Sequence, residues 1–115
     1  MPHFVIECSA NAIEMTSPSD IMQTVYNTAA QSGLFSPGDT KIRILPFEHY
    51  KLEDGKKNFV HVFAYIMEGR TDKQRTELSN AVVKALKALL TDVDILSMSI
   101  HDFYSHGYAN KQTTF

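Results

Sequence analysis

Only one cysteine, Cys8, occurs among 115 residues, which excludes an intramolecular disulfide framework. Clustered metal ligands are missing as well. His3, His49, His61, His101 and His106 are scattered rather than set at ligand spacing, so no metal site is expected. An excess of positive charge is also lacking, since 11 Lys and Arg stand against 13 Asp and Glu, a formal net charge of −2. That removes the basic field behind nonspecific nucleic-acid binding. No uninterrupted apolar run approaches the roughly 18 residues of a membrane span, and no basic stretch followed by an apolar segment opens the chain. The expectation is a soluble, cytoplasmic protein with no nucleic-acid or membrane partner, forming one domain over residues 1–115.

What the chain does have is apolar material, 43% of its residues, laid out in two alternating periods. HFVIEC, His3 to Cys8, is β-branched and aromatic and alternates only weakly, which predicts a central strand covered on much of both faces. In SPSDIMQTVYNTAAQSG, Ser17 can N-cap, Pro18 suits the first helical position and Asp20 the positive end of the helix dipole. Ile21, Met22, Val25, Ala29 and Ala30 follow at helical spacing, and Gly33 suits the residue after the helix. TKIRILP alternates, placing Ile42 and Ile44 on one face and Lys41, Arg43 and Leu45 on the other, and Pro46 ends the strand or breaks its ladder.

The second half repeats the order. EDGKK signals a turn after a segment of mixed character that holds a short helix or an extended excursion, and NFVHVFAYIM predicts a second heavily buried central strand. TDKQ is a capping box, with Thr71 as cap and Gln74 reaching back, ahead of an apolar stripe of Leu78, Val82, Leu86 and Leu89. DILSMSIHDF sets Leu96, Met98 and Ile100 against Ser97, Ser99 and His101. The fold class is therefore α/β (α+β), a duplicated β-α-β joined near residues 47–57, with a four-stranded mixed sheet and two helices on one face. Its other face needs a cover, which points to sheets of several subunits packing together. Tyr104, Tyr108 and Phe115 in the coreless tail point to docking on a neighbour in the same way.

Four residues carry candidate chemistry. Pro2 becomes a secondary amine if Met1 is removed, as initiator methionines generally are before a small residue, and a neutral amine is a competent general base. Arg70 stands where the third strand meets the second helix, a place that attracts anions. Lys41 and Arg43 share a strand face by period two, and two like charges side by side favour an anion between them. Each also has a purely structural reading, as an ordinary second residue, a solvated turn arginine or a pair of sheet-surface cations. Cys8 reads as a buried small hydrophobe and His61 as a hydrogen-bonded core or interface residue.

Taken together, PHFVIECS at the start, GLF at Gly33 to Phe35, DG at Asp54-Gly55 and EGRTDKQR around Arg70 resemble the 5-carboxymethyl-2-hydroxymuconate isomerase family of the tautomerase superfamily. The resemblance runs nearly the whole length, with PHFVIECS its most specific part. It implies a homotrimer of β-α-β-β-α-β subunits that uses no metal or organic cofactor and acts in aromatic compound catabolism. Pro2, exposed by loss of Met1, would be the base that relays a proton from the 2-hydroxyl of a dienol to a distant carbon, an intramolecular oxidoreductase-type isomerisation. Arg70 falls on the family's GR motif and Arg43 on its second arginine, both as carboxylate binders. Lys41 stands where the family more often has arginine, and an ammonium cannot make the bidentate fork of a guanidinium. The expected partner is a small carboxylate substrate. Two other readings keep the fold: a noncatalytic trimeric ligand-binding protein, and an enzyme acting on another carboxylate.

Overall fold

A computed structural model describes residues 1–114, so Phe115 lies outside the described residues. Four strands, β1 (His3–Ser9), β2 (Lys41–Phe47), β3 (Phe59–Met67) and β4 (Ile95–Phe103), form one mixed sheet in the order β2-β1-β3-β4. β1 runs parallel to β2 and antiparallel to β3, and β3 runs parallel to β4. The two β-branched, weakly alternating segments are thus the two central strands, as their composition predicts. Helices α1 (Ala12–Met15), α2 (Pro18–Gln31) and α3 (Asp72–Leu89) complete the regular structure, with a 3-10 turn over Ser105–Gly107.

Alternation decides which side chains meet the helices. Phe4, Ile6 and Cys8 of β1 and Val60, Val62, Ala64 and Ile66 of β3 have no exposure and pack with Ile21, Val25 and Ala29 of α2 and Leu78, Val82 and Leu86 of α3. Burial also pushes the Cys8 thiol pKa up, in keeping with a packing role. α3 starts at the expected capping box: the Gln74 N–H donates to Thr71 Oγ1 at 3.1 Å, and the Thr71 N–H to Gln74 Oε1 at 2.9 Å. α2 differs from expectation at its start. Pro18 opens it, but the Ser17 side chain makes no capping hydrogen bond, and the Ser17 carbonyl takes the Ile21 N–H at 3.1 Å. Its end follows expectation, with Gly33 at φ 72°, in the left-handed region that glycine adopts freely.

Two points the sequence left open are decided by local structure. Pro46 does not end β2, which continues to Phe47, because β2 is an edge strand with no ladder on its outer side to interrupt. The stretch before EDGKK holds no helix; the turn itself follows, Asp54 and Gly55 both having positive φ and the Lys56 N–H reaching the Glu53 carbonyl at 3.1 Å.

The two halves superpose in logic. His3, the first residue of β1, pairs with Lys41, the first of β2; Phe59, the first of β3, pairs with Ile95, the first of β4. Because β1 and β3 are antiparallel, the two entry points lie at opposite ends of the sheet. Pro2 precedes one, and its carbonyl accepts the Lys41 N–H at 3.0 Å. Asn58 precedes the other, and its Oδ1 accepts the Asp94 N–H at 2.6 Å.

Candidate active site

One end of the sheet gathers the candidate residues, because the start of β1 lies beside the start of β2 and the end of β3. Pro2 is buried there, fixed through its carbonyl to the Lys41 backbone. With Met1 attached, its nitrogen is a tertiary amide without a basic lone pair. The Met1 ammonium donates to Asp39 Oδ2 at 2.6 Å.

Lys41 and Arg43 project from the sheet face that carries no helix, as the alternation of TKIRILP predicts. Lys41 Nζ donates to the Asp39 carbonyl at 2.7 Å and lies 3.6 Å from Asp39 Oδ1. The hydrogen bond from the amino terminus, helped by the charges of that terminus and of Lys41, holds the Asp39 carboxyl below the usual carboxylate range. Arg43 Nη1 lies 3.1 Å from His3 Nδ1. A guanidinium has no acceptor, so Nδ1 is the acceptor and His3 is neutral in this contact. Burial first, then the charges of Arg43 and Lys41, lower the His3 pKa in the same sense.

Arg70 approaches the same end from the helix side, just after Gly69, whose φ of 114° turns the chain out of the sheet. Its Nη2 donates to the Leu34 carbonyl at 2.7 Å and its Nη1 to the Met67 carbonyl at 3.2 Å, while the guanidinium lies 5.4 Å above the Phe35 ring. Two of five N–H donors are therefore engaged with main chain and three remain. Phe35 in turn meets Phe4 edge-on at 6.0 Å. Arg75 locks the turn, its Nη1 donating to the Arg70 carbonyl at 2.6 Å and to Asp102 at 3.0 Å.

Pro2 and Lys41 are thus joined directly and Arg43 sits one pleat farther along. Arg70 is fixed to the Leu34–Phe35 segment and makes no hydrogen bond to the other three within one subunit. The residue that sequence reasoning missed is Asp39. Its only signal was the PGDTK turn directly ahead of the strand that carries Lys41. A cavity of about 490 Å³ lies elsewhere, between α2 and α3 along Ser32, Leu34, Gln74 and Leu78. Among the described residues no helix is long and apolar enough to cross a membrane.

Comparison with known proteins fits this architecture. The family model for 5-carboxymethyl-2-hydroxymuconate isomerase matches residues 2–113. The chain is 27% identical over 104 residues to the 5-carboxymethyl-2-hydroxymuconate Delta-isomerase of Escherichia coli, covering 86% of this chain and 82% of the relative. A crystal structure of a 5-carboxymethyl-2-hydroxymuconate delta-isomerase matches with a TM-score of 0.82 at 20% identity, over 96% of this chain and 87% of the other. A fused 4-OT described as a wild-type symmetric trimer shares the fold with a TM-score of 0.72 at 13% identity, over 96% of this chain and 95% of the other.

Proposed function

We propose, since the chain belongs to the 5-carboxymethyl-2-hydroxymuconate isomerase family and is an isomerase, that it moves a proton within an unsaturated 2-hydroxy carboxylate, with Pro2 as the base. The substrate class is that of 5-carboxymethyl-2-hydroxymuconate. The carrying observation is the seat of Pro2: a buried residue fixed to the first rung of β2, with Lys41 on that rung and Arg43 one pleat beyond.

Removal of Met1 turns the Pro2 nitrogen into a secondary amine. Burial and the neighbouring cations disfavour its protonated form, which keeps a neutral base available near pH 7. The amine takes the proton of the substrate's 2-hydroxyl, and the freed electron pair makes the carbonyl. The diene electrons shift, and the ammonium returns the proton to the distant carbon. Atoms and charge balance without a cofactor. Arg43 and the free donors of Arg70 hold carboxylates and stabilise charge on the dienolate oxygen, and Lys41 assists as a point charge.

The assembly proposed with this reaction is a homotrimer. Two features support it: the aromatic sheet face that no helix of the subunit covers, and a fold shared with a symmetric trimer. A neighbouring subunit would then complete the pocket over Pro2. On this reading the enzyme is cytoplasmic and serves the breakdown of aromatic compounds.

The test pairs intact mass with kinetics. Mass spectrometry should show the chain without Met1, and Pro2→Ala should lower kcat/KM on 2-hydroxymuconate or phenylenolpyruvate by about 10²- to 10⁴-fold, the usual worth of a general base. Equal rates for the variant and the parent would remove Pro2 from the mechanism.

A further inference from the structure

We propose that Asp39 is a positioning residue that sets the working pH of the Pro2 amine, its carboxylate standing close enough to favour the protonated form and to offset Lys41. The inference rests on the reading of Pro2 as the base.

Asp39 Oδ2 lies 2.6 Å from the Met1 nitrogen. Three covalent bonds separate that atom from the Pro2 nitrogen, a span of at most about 3.6 Å, so the carboxylate lies within about 6 Å of the future amine. Neither partner owes its place to Met1 alone. Pro2 is tied by its carbonyl to the Lys41 N–H at 3.0 Å, the Asp39 N–H donates to the Ser36 carbonyl at 3.2 Å, and Lys41 Nζ grips the Asp39 carbonyl at 2.7 Å. Loss of Met1 frees Oδ2 and leaves these three bonds in place.

The other charges around this end have the opposite sign or are engaged elsewhere. Lys41 and Arg43 face it from β2 and Arg70 from the turn after β3, and all three disfavour an ammonium. His3 on β1 is neutral where it accepts from Arg43. Tyr65 pairs with His3 from β3, and His101 stacks on Tyr65 at 5.3 Å from β4. Glu68, after β3, accepts the Ser105 N–H at 2.5 Å. Asp39 is the carboxylate that meets the chain terminus, and an ordinary carboxyl group is already ionised wherever an amine titrates. Cations alone would push the amine far down and leave a weak base; one carboxylate restores basicity while Lys41 remains close enough to attract an acidic substrate.

The experiment is the pH profile of kcat/KM on phenylenolpyruvate for the parent, Asp39→Asn, Asp39→Glu and Asp92→Asn, the last at the opposite end of the sheet. Removing one charge at this distance should move the acid limb of Asp39→Asn to lower pH by roughly half a unit to one unit. Asp39→Glu and Asp92→Asn should keep the parent limb. An unmoved limb in Asp39→Asn, or a rate loss equal at every pH, overturns the proposal. If Asp39→Asn does not fold by circular dichroism, Asp39→Ser substitutes for it under the same criteria. Titration of ¹⁵N-labelled Pro2 without substrate must show the same downward shift. Failure of the underlying reading looks different, because Pro2→Ala would then match the parent.

Discussion

On β3, Val60, Val62, Ala64 and Ile66 are shut beneath the helices, while Phe59, His61, Phe63 and Tyr65 look out from the opposite face. The enclosed set is aliphatic and packs with α2 and α3. The outward set is aromatic and polar. His61 Nδ1 lies 2.6 Å from Ser97 Oγ and Nε2 lies 3.0 Å from Ser99 Oγ, which in turn meets His101 Nε2 at 2.8 Å. The rings of His61 and Phe63 meet at 4.4 Å, and Phe63 stacks on Tyr65 at 6.3 Å. One backbone thus carries a sealed core and an uncovered face whose hydroxyls and rings tolerate both water and packing.

The largest break in this comparison is expected inside the core. Ile66→Ala should cost about 2–5 kcal/mol in urea unfolding, through lost transfer energy and a residual cavity. Its effect within the subunit should not depend on protein concentration. Next to it on the face that no helix covers, Phe63→Asp should change subunit stability by only about 0.5 kcal/mol, as surface substitutions do. It should nevertheless convert the proposed trimer to monomer in sedimentation, since three buried carboxylates would have no partner. A variant that still sediments as a trimer would assign the contact to another surface.

The smallest expected effect concerns His61. Burial lowers its pKa from the ordinary 6.5. Below that value the unfolded chain takes up the proton first, so the stability present above pH 6.5 is lost as pH falls through the folded-state pKa. Replacing His61 with Gln keeps a hydrogen-bonding group toward Ser97 and removes this term. The difference in urea midpoint between about pH 7.5 and about pH 5.5 should therefore shrink in the variant.

Much of this was legible in the sequence because it depends on period. Alternation in TKIRILP placed Lys41 and Arg43 on one face, and TDKQ fixed the start of α3 through two hydrogen bonds three residues apart. Features that depend on distant partners were not legible. α1 is four residues long, and Asn11 ahead of it is held by the Tyr50 hydroxyl at 3.1 Å and the Lys57 carbonyl at 3.0 Å. Asp39 could not be singled out, because its partner is 38 positions away at the chain terminus. The carbonyls that hold Arg70 could not be read as its partners: Leu34, within the GLF stretch, reaches it only because the loop after α2 starts against the turn after β3.

The paired entry points of β1 and β3 lead to a matter of arithmetic. A duplicated fold offers the same slot twice, yet a linear polymer has a single beginning. Any chemistry that requires a free terminal amine can occupy one slot only, however faithful the internal repetition. If Pro2 is the base proposed above, the second slot carries no such duty; Asn58 fills it as a brace, gripping Asp94 through its side chain where Pro2 offers Lys41 only its backbone. On the proposed reading, asymmetry of function is built into the topology of the polymer itself.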